Sequence, residues 1–259
     1  MRWGAEACPA SGRVVNMQAA VAEMLAMALF VTVGCGTACG HGASDGESRL
    51  VVAFAFGMSI LVLAYTIGHL SGGQINCAVT FSLVLGGQVP WYQGIVNTVF
   101  QLIGSVLGAL AVAALFPCGR DLTGNLASHV ISDDFGVGHA FLGEVIGTFF
   151  LCMVVWETAV SPRSGAGANA CVAIGFAVFL AHLMLLPIDG CSINPTRSFG
   201  TAVVAEMRRG CGTFTDGAMR DLWVMWVGPL LGAALAAGVK SLFAPRRLVD
   251  EKVGEGAQV

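Results

Sequence analysis

The sequence has few charged residues, and this scarcity excludes the commonest class of protein. Only 11% of its 259 residues are Asp, Glu, Lys or Arg, against about 25% in a typical soluble domain. Hydrophobic residues make up 56% of the chain, and the mean hydropathy is +0.76. The formal net charge of −3 leaves no basic surplus for nucleic acid. We therefore expect a protein of the lipid bilayer that binds no nucleic acid.

The sequence also lacks the residue groupings that carry catalysis or metal binding. Its nine cysteines are scattered, and no pair with metal-ligand spacing is matched by a second pair. Most of them fit as small buried hydrophobes. We find no carboxylate pair and no nucleophile beside a base. We therefore predict no enzyme activity, no metal site, no cofactor and no disulfide framework.

Six apolar segments are long enough to cross a bilayer, which takes about 20 residues. All six contain small residues, which let helices approach closely within lipid. The sequence thus predicts an all-α membrane protein with six transmembrane helices. The segments cover approximately 17–38, 50–68, 92–116, 139–160, 168–187 and 221–243.

Two other segments, 76–87 and 194–205, are too apolar for loops and too short to span a bilayer. Each begins with an asparagine, a preferred helix N-cap, and each follows a polar run that contains glycine. Non-helical backbone at membrane depth is tolerated only where it is buried in protein or lines a wet cavity. We therefore predict two re-entrant half-helices that line a cavity.

An internal repeat relates the two halves of the chain. "AEMLAMALFVTVG" resembles "GEVIGTFFLCMVV", and both Gly57 and Gly175 lie 19 residues before the asparagine of their half, Asn76 or Asn194. Each copy crosses the membrane three times, and because three is an odd number the second copy must have the opposite orientation in the bilayer. Inverted repeats with interrupted helices place their binding or conduction site near the midplane of the membrane. The predicted organisation is a channel domain at 17–245, with repeats at about 17–116 and 139–243, an N-terminal tail at 1–16 and a C-terminal tail at 246–259.

The predicted half-helices bring Asn76 and Asn194 together at the membrane centre. Each helix N-terminus carries roughly half a positive charge, so the pair repels cations, while the asparagine amides donate hydrogen bonds. The extended runs before the two half-helices add a row of backbone carbonyls that accept hydrogen bonds. A neutral molecule that both donates and accepts hydrogen bonds can pass, whereas an ion loses its hydration without compensation. The predicted pore-lining carbonyls are those of Gly72, Gly73, Gln74, Ile75, Gly190, Cys191, Ser192 and Ile193.

Three strings carry a specific resemblance: "GHLSGGQINCAVT", "GCSINPTRSFG" and "WVGPLLGAALAA". Over roughly 17–245 the chain resembles an aquaporin of the major intrinsic protein family, which has six helices and two re-entrant half-helices. The paired Asn-Pro-Ala motif of that family appears as Asn76-Cys77-Ala78 and Asn194-Pro195-Thr196. These two triplets are the predicted pore centre.

The resemblance also implies a selectivity filter. Its positions, carried over by spacing, are Phe56, His182, Cys191 and Arg197, a set similar to the water-selective branch. Members that conduct glycerol have a small residue at the His182 position and an aspartate at the Ser198 position. Buried charge within a membrane usually faces a cavity, which agrees with a pore role for Arg197.

Three further polar residues lie in apolar segments: Glu23, Gln101 and Glu144. Taken alone, the two glutamates fit either a proton relay or a structural brace. In the resembled family the matching residues brace the re-entrant loops by hydrogen bonds, and we expect the same here.

Cys77 and Thr196 depart from the family pattern. The family has proline at position 77, where its ring fixes the backbone angle φ in the first helical turn. Cysteine at this position lacks that constraint and has a backbone N–H that proline lacks. Two interpretations of Cys77 stay open: a tolerated substitution of similar volume, and a pore centre that is less rigid or sensitive to oxidation. Thr196 either packs against the other half-helix or narrows the midpoint.

The expected function is a passive water channel that excludes protons and ions. The alternatives are a facilitator for another small neutral solute (hydrogen peroxide, ammonia or, less readily, glycerol) and a structural membrane protein of low permeability. The resemblance implies a homotetramer. We expect a multi-pass protein of the plasma membrane with cytoplasmic termini, and a loop at 117–138 that folds over the pore mouth.

Overall fold

A computed structural model describes residues 14–208 and 217–243. Within these ranges the chain forms helices and no strand, and six of the helical segments are long and apolar enough to cross a membrane. The all-α prediction is therefore confirmed. The helices are α1 (Met17–His41), α2 (Gly46–Ser71), α3 (Cys77–Leu85), α4 (Trp91–Leu115), α5 (Val137–Val155), α6 (Ala170–Leu185), α7 (Pro195–Met207), α8 (Ala218–Asp221) and α9 (Val224–Phe243).

Helix packing follows the internal repeat. Helix α1 packs on α2 and α4, and in the same way α5 packs on α6 and α9. The two halves meet where α2 packs on α6. The short helices exchange partners between the halves, because α3 packs on α9 and α7 packs on α4. This arrangement places the starts of α3 and α7 together inside the bundle.

Glycine permits the closest of these helix crossings. A Cβ on Gly57 of α2 would lie 2.7 Å from the carbonyl oxygen of Gly175 on α6, and a Cβ on Gly175 would lie 2.8 Å from the oxygen of Gly57. Any larger side chain would separate the two helices. The two residues that mark the repeat in the sequence therefore form a close contact between its copies.

Several helix ends differ from the sequence-based prediction. Helix α5, predicted as the span 139–160, starts at Val137 and continues after Val155 as a π-helical turn over Trp156–Val160. The second half-helix extends to Met207. The predicted tails at 1–16 and 246–259 lie almost entirely outside the described residues.

The loop between α4 and α5 contains a cysteine that is oxidised, unlike the free cysteines named below. Cys118 is disulfide-bonded. Six other cysteines are free and buried, in agreement with their interpretation as small hydrophobes: Cys35, Cys39, Cys77, Cys152, Cys171 and Cys191.

Candidate functional site

Each half-helix starts at an asparagine N-cap. The Oδ1 atom of Asn76 accepts the backbone N–H groups of Ala78 (2.8 Å) and Val79 (3.4 Å). On the other half-helix, Oδ1 of Asn194 accepts the N–H of Arg197 at 3.2 Å. Side-chain oxygens thus satisfy N–H groups that have no partner within the helix, and this fixes the plane of each amide.

The amide nitrogens join the two halves. Nδ2 of Asn76 donates to the carbonyl of Ile193 at 2.7 Å, and Nδ2 of Asn194 donates to the carbonyl of Ile75 at 2.8 Å. An asparagine nitrogen carries two N–H donors, so each amide keeps a second donor. Both asparagines line the central cavity, where this second donor is available to a solute.

The runs before the asparagines adopt the same unusual backbone in both halves. Ile75 and Ile193 have φ of 48° and 43°, a left-handed conformation that is rare for β-branched residues. Gly72 and Gly190, at equivalent positions, have φ of 86° and 88°. Such strain persists only where the surrounding structure imposes it, and it is concentrated at functional sites.

Glu23 holds the first of these runs. Its Oε1 accepts the N–H of Gln74 at 2.8 Å and the hydroxyl of Ser71 at 2.6 Å. Its Oε2 accepts the N–H of Ile75 at 2.6 Å and Nε2 of Gln101 at 2.8 Å. Four donors therefore surround a fully buried carboxylate.

Glu144 contacts the second run in the same manner. Its two oxygens accept the N–H groups of Ser192 and Ile193, each at 2.7 Å. The adjacent carboxylate of Asp189 accepts the N–H of Cys191 at 2.9 Å. Buried carboxylates thus occupy the donors of both strained runs and leave backbone carbonyls free to face elsewhere.

The central cavity is lined by both polar and apolar residues. Of the predicted carbonyl-bearing residues, Gly72, Gly73, Gln74, Ser192 and Ile193 line it. The carbonyls of Ile75 and Ile193 already accept the asparagine amides. The apolar wall includes Phe30, Ile60, Val79, Leu83, Ile174 and Val178.

Three of the predicted filter residues meet at one end of this cavity. The rings of Phe56 and His182 stack with centroids 4.5 Å apart and planes inclined by 19°. The guanidinium carbon of Arg197 lies 5.0 Å from the Phe56 centroid. Phe56 and Arg197 also line a second, more open space, the outer vestibule, so this trio lies between the central cavity and that vestibule.

Cys191, the fourth predicted filter residue, contributes its backbone to this region. Its side chain is fully buried within the hydrophobic core. Its carbonyl accepts a hydrogen bond from Nε2 of His129 at 2.9 Å.

His129 is a residue of this region that the sequence did not reveal. Its Nε2 contacts the Cys191 carbonyl, and its Nδ1 lies 2.9 Å from Nη1 of Arg197. Nη1 of Arg197 also contacts Nε2 of His129, so the guanidinium lies against both nitrogens of the ring. Burial, together with the charge of Arg197, holds the pKa of His129 well below its usual range. His129 lies 68 residues from Arg197 in the chain, in a loop with no motif to mark it.

The loop that carries His129 is tied to the rest of the protein. The N–H of Leu122 donates to the carbonyl of Cys39 on α1 at 2.9 Å. Asp121 accepts the Thr123 hydroxyl at 2.6 Å and the N–H of Leu126 at 2.8 Å. Burial alone would raise the pKa of Asp121, but these hydrogen bonds hold that pKa below its usual value. The loop is therefore a fixed wall of the outer vestibule.

Comparisons with known proteins agree with this architecture. The model of the family described as "Major intrinsic protein" matches residues 11–239. Aquaporin PIP2-7 of Arabidopsis thaliana is 37% identical over 228 residues, which cover 85% of this chain and 78% of that protein. Human Aquaporin-1 is 36% identical over 237 residues, which cover 88% of this chain and 83% of that protein.

A solved structure supports the fold independently of close sequence similarity. The aquaglyceroporin from Plasmodium falciparum superposes with a TM-score of 0.78 at 19% identity and covers 89% of this chain and 98% of its own. With the two sequence relatives and the family match, this leaves one conclusion. The chain belongs to the major intrinsic protein family and has the aquaporin fold of a multi-pass membrane channel for water or other small solutes.

Proposed function

We propose that the protein is a passive water channel that excludes protons and ions. The observation that carries this proposal is the contact of Phe56, His182 and Arg197 between the central cavity and the outer vestibule. Two stacked rings and a guanidinium leave little width for a solute larger than water. The buried positive charge opposes cations at the same point.

The pore centre supports exclusion of protons by a second device. The starts of α3 and α7 meet there, and each carries roughly half a positive charge from its aligned peptide dipoles. The second donor of each asparagine amide can bind the oxygen of a passing water molecule. A water oxygen that accepts from both Asn76 and Asn194 is poorly placed to accept a proton from its neighbour in the file.

The remaining predicted site residues have supporting roles in this proposal. Carbonyls of the strained runs accept hydrogen bonds from water, while Ile75 and Ile193 hold the asparagines. Glu23 and Glu144 act as braces, because their oxygens accept N–H groups of the runs. Gln101 supports the first brace by donating its amide to Glu23. The apolar opposite wall binds water weakly and allows rapid passage.

Stopped-flow light scattering on proteoliposomes of the purified protein tests the proposal. We expect osmotic shrinkage faster than in empty liposomes, a low activation energy, and no proton leak above that of empty liposomes. Shrinkage no faster than in empty liposomes, with the protein verified in the membrane, would refute water conduction and favour the alternative of a structural membrane protein.

Hydrogen peroxide is the second candidate solute, because it is close to water in size and both donates and accepts hydrogen bonds. The filter contacts that oppose glycerol do not distinguish peroxide from water. Peroxide and ammonia uptake, measured on the same proteoliposomes with dyes enclosed in the lumen, separates a strict water channel from a broader facilitator. Glycerol uptake above background would contradict the narrow filter.

We also propose that the termini face the cytoplasm and that the protein resides in the plasma membrane as a homotetramer. Three full-length helices separate the N-terminus from the loop that contains Cys118. Because disulfides persist in oxidising compartments, the disulfide at Cys118 favours an extracellular loop and cytoplasmic termini. Labelling of epitope tags in intact cells tests the orientation, and native mass spectrometry tests the tetramer.

A further inference from the structure

The two departures from the family motif are in hydrogen-bonded contact with each other. The backbone N–H of Cys77, the first residue of α3, donates to the hydroxyl oxygen of Thr196 in α7 at 3.4 Å. The same hydroxyl donates to Oδ1 of Asn194 at 2.7 Å. A continuous chain of two hydrogen bonds therefore runs from the start of one half-helix to the pore asparagine of the other.

Each bond depends on one of the departures. Proline at position 77 would have no N–H to donate, and alanine at position 196 would have no hydroxyl. The N–H of a first helical residue has no partner within its own helix. Cys77 and Thr196 are 3% and 0% exposed, so the protein itself must satisfy both groups. Cysteine at 77 creates a buried donor, and threonine at 196 supplies its acceptor.

The Thr196 hydroxyl replaces a backbone donor at Asn194. In the first half, Oδ1 of Asn76 accepts the backbone N–H of Ala78, two residues later, at 2.8 Å. Thr196 occupies the equivalent position in the second half, and there the hydroxyl is the donor to Oδ1. The Arg197 N–H is the second donor, at 3.2 Å. Asn194 is thus held by a side chain where Asn76 is held by backbone.

Holding Oδ1 also sets the direction of the donors on Asn194, because the amide is planar. One N–H of Nδ2 points to the Ile75 carbonyl at 2.8 Å, and the other is directed to the cavity that Asn194 lines. Rotation of the amide would break the bond to Ile75 and turn an acceptor toward the pore. The hydroxyl of Thr196 opposes that rotation.

We propose that Thr196 is a positioning residue for Asn194, and that Cys77 and Thr196 work as a pair in which the Cys77 N–H orients the Thr196 hydroxyl. The hydroxyl has one proton, so a donor on its lone-pair side directs that proton to Oδ1. The donor in this pair is the backbone N–H of Cys77, and Cys77 is not among the described residues that line the cavity. The inference rests on the proposed function only where it assigns the second Asn194 donor to passing water.

A set of variants tests the pair. Thr196→Val keeps the shape and removes the hydroxyl, Thr196→Ser keeps the hydroxyl, and Cys77→Pro removes the N–H. Thr196→Ala, alone and combined with Cys77→Pro, completes a double-mutant cycle, and the double variant restores the family motif. Thr66→Val is the matched control, because the Thr66 hydroxyl donates only to the Val62 carbonyl of its own helix at 2.8 Å and lies on an exposed face.

We expect Thr196→Val and Cys77→Pro each to lower water permeability per channel by about fivefold, the effect of losing one neutral hydrogen bond. Thr66→Val should match the wild type, and Thr196→Ser should restore most of the permeability that Thr196→Val loses. The double variant should be more permeable than the product of its single effects predicts. Thr196→Val should also raise the proton leak relative to water flux, which a loss of packing alone would not do.

Apparent unfolding temperatures of the same variants in detergent separate this inference from the water-channel proposal. Non-additive shifts for Cys77 and Thr196 support the pair even if the wild type conducts no water. Additive shifts, or wild-type permeability and proton exclusion in Thr196→Val, would overturn it.

Discussion

Asn76 and Asn194 each donate an amide N–H to the carbonyl that precedes the other asparagine in the chain, at 2.7 and 2.8 Å. The two halves of the protein are therefore joined at the same point where each presents its remaining donor to the cavity. Any change that moves one strained run moves the donor of the opposite half. This reciprocity makes the buried carboxylates behind the runs relevant to conduction as well as to stability.

Glu144→Gln should destabilise the protein and impair conduction. The two oxygens of Glu144 accept the N–H groups of Ser192 and Ile193, and glutamine would direct an N–H donor at one of them. A buried unpaired donor costs about 1–3 kcal/mol. We expect a lower unfolding temperature and lower water permeability, measured by scanning fluorimetry and stopped-flow scattering. Glu47→Gln, at an exposed carboxylate, is the control, and equal effects of the two changes would contradict a bracing role.

His182→Ala should widen the filter. The imidazole stacks on Phe56 at 4.5 Å, and its removal opens the passage beside Arg197. Glycerol uptake into proteoliposomes should rise by about tenfold, which corresponds to a barrier lowered by ~1.4 kcal/mol. His69→Ala, at an exposed histidine on α2, should leave glycerol excluded. If His182→Ala excludes glycerol as the wild type does, His182 does not limit the width.

Arg197→Val should weaken the exclusion of cations. Arg197 is 2% exposed, and its charge is little screened there by solvent. Proton leak, measured with a pH-sensitive dye inside the liposomes, should rise by about tenfold, the factor for ~1.4 kcal/mol. Arg120→Val, in the exposed turn after α4, is the control. A leak equal to that of the wild type would assign proton exclusion to the pore centre alone.

Stability should fall in mild acid because of His129. The folded protein keeps this ring neutral, since burial and the charge of Arg197 lower its pKa, whereas an unfolded histidine binds a proton near pH 6.5. Unfolding therefore takes up a proton below that pH, and stability declines as the pH falls. His182 is the other titratable group that acts on His129.

The unfolding temperature at pH 7.5 and 5.5 measures this effect. His129→Asn should have a smaller difference between the two pH values than the wild type, because one titrating group is removed while His182 remains in both proteins. An unchanged difference would mean that His129 does not titrate between the two states.

The helices and the asparagine caps could be predicted from sequence because they depend on local signals. Apolar length locates the six spans, and an asparagine before a short apolar run marks each half-helix. The structure extends α7 to Met207, two residues beyond the predicted segment 194–205. The sequence pattern does not distinguish the π-helical turn at Trp156–Val160 from α-helix, because the predicted span 139–160 continues through it.

The contacts that tune the site could not be predicted, because they join residues far apart in sequence. Arg197 stood out as a charge in an apolar segment, whereas its neighbour His129 lies in a polar loop where histidine is unremarkable. Cys77 and Thr196 were each visible as departures from a motif. Their mutual hydrogen bond depends on how the two half-helices meet, which neither local sequence encodes.

The most direct test of the account is the flux of water, glycerol and protons through one preparation of reconstituted wild-type protein. The account predicts rapid osmotic water flux together with glycerol and proton permeabilities equal to those of empty liposomes. Rapid glycerol entry, a proton leak that scales with the protein content, or water flux equal to that of empty liposomes would contradict it.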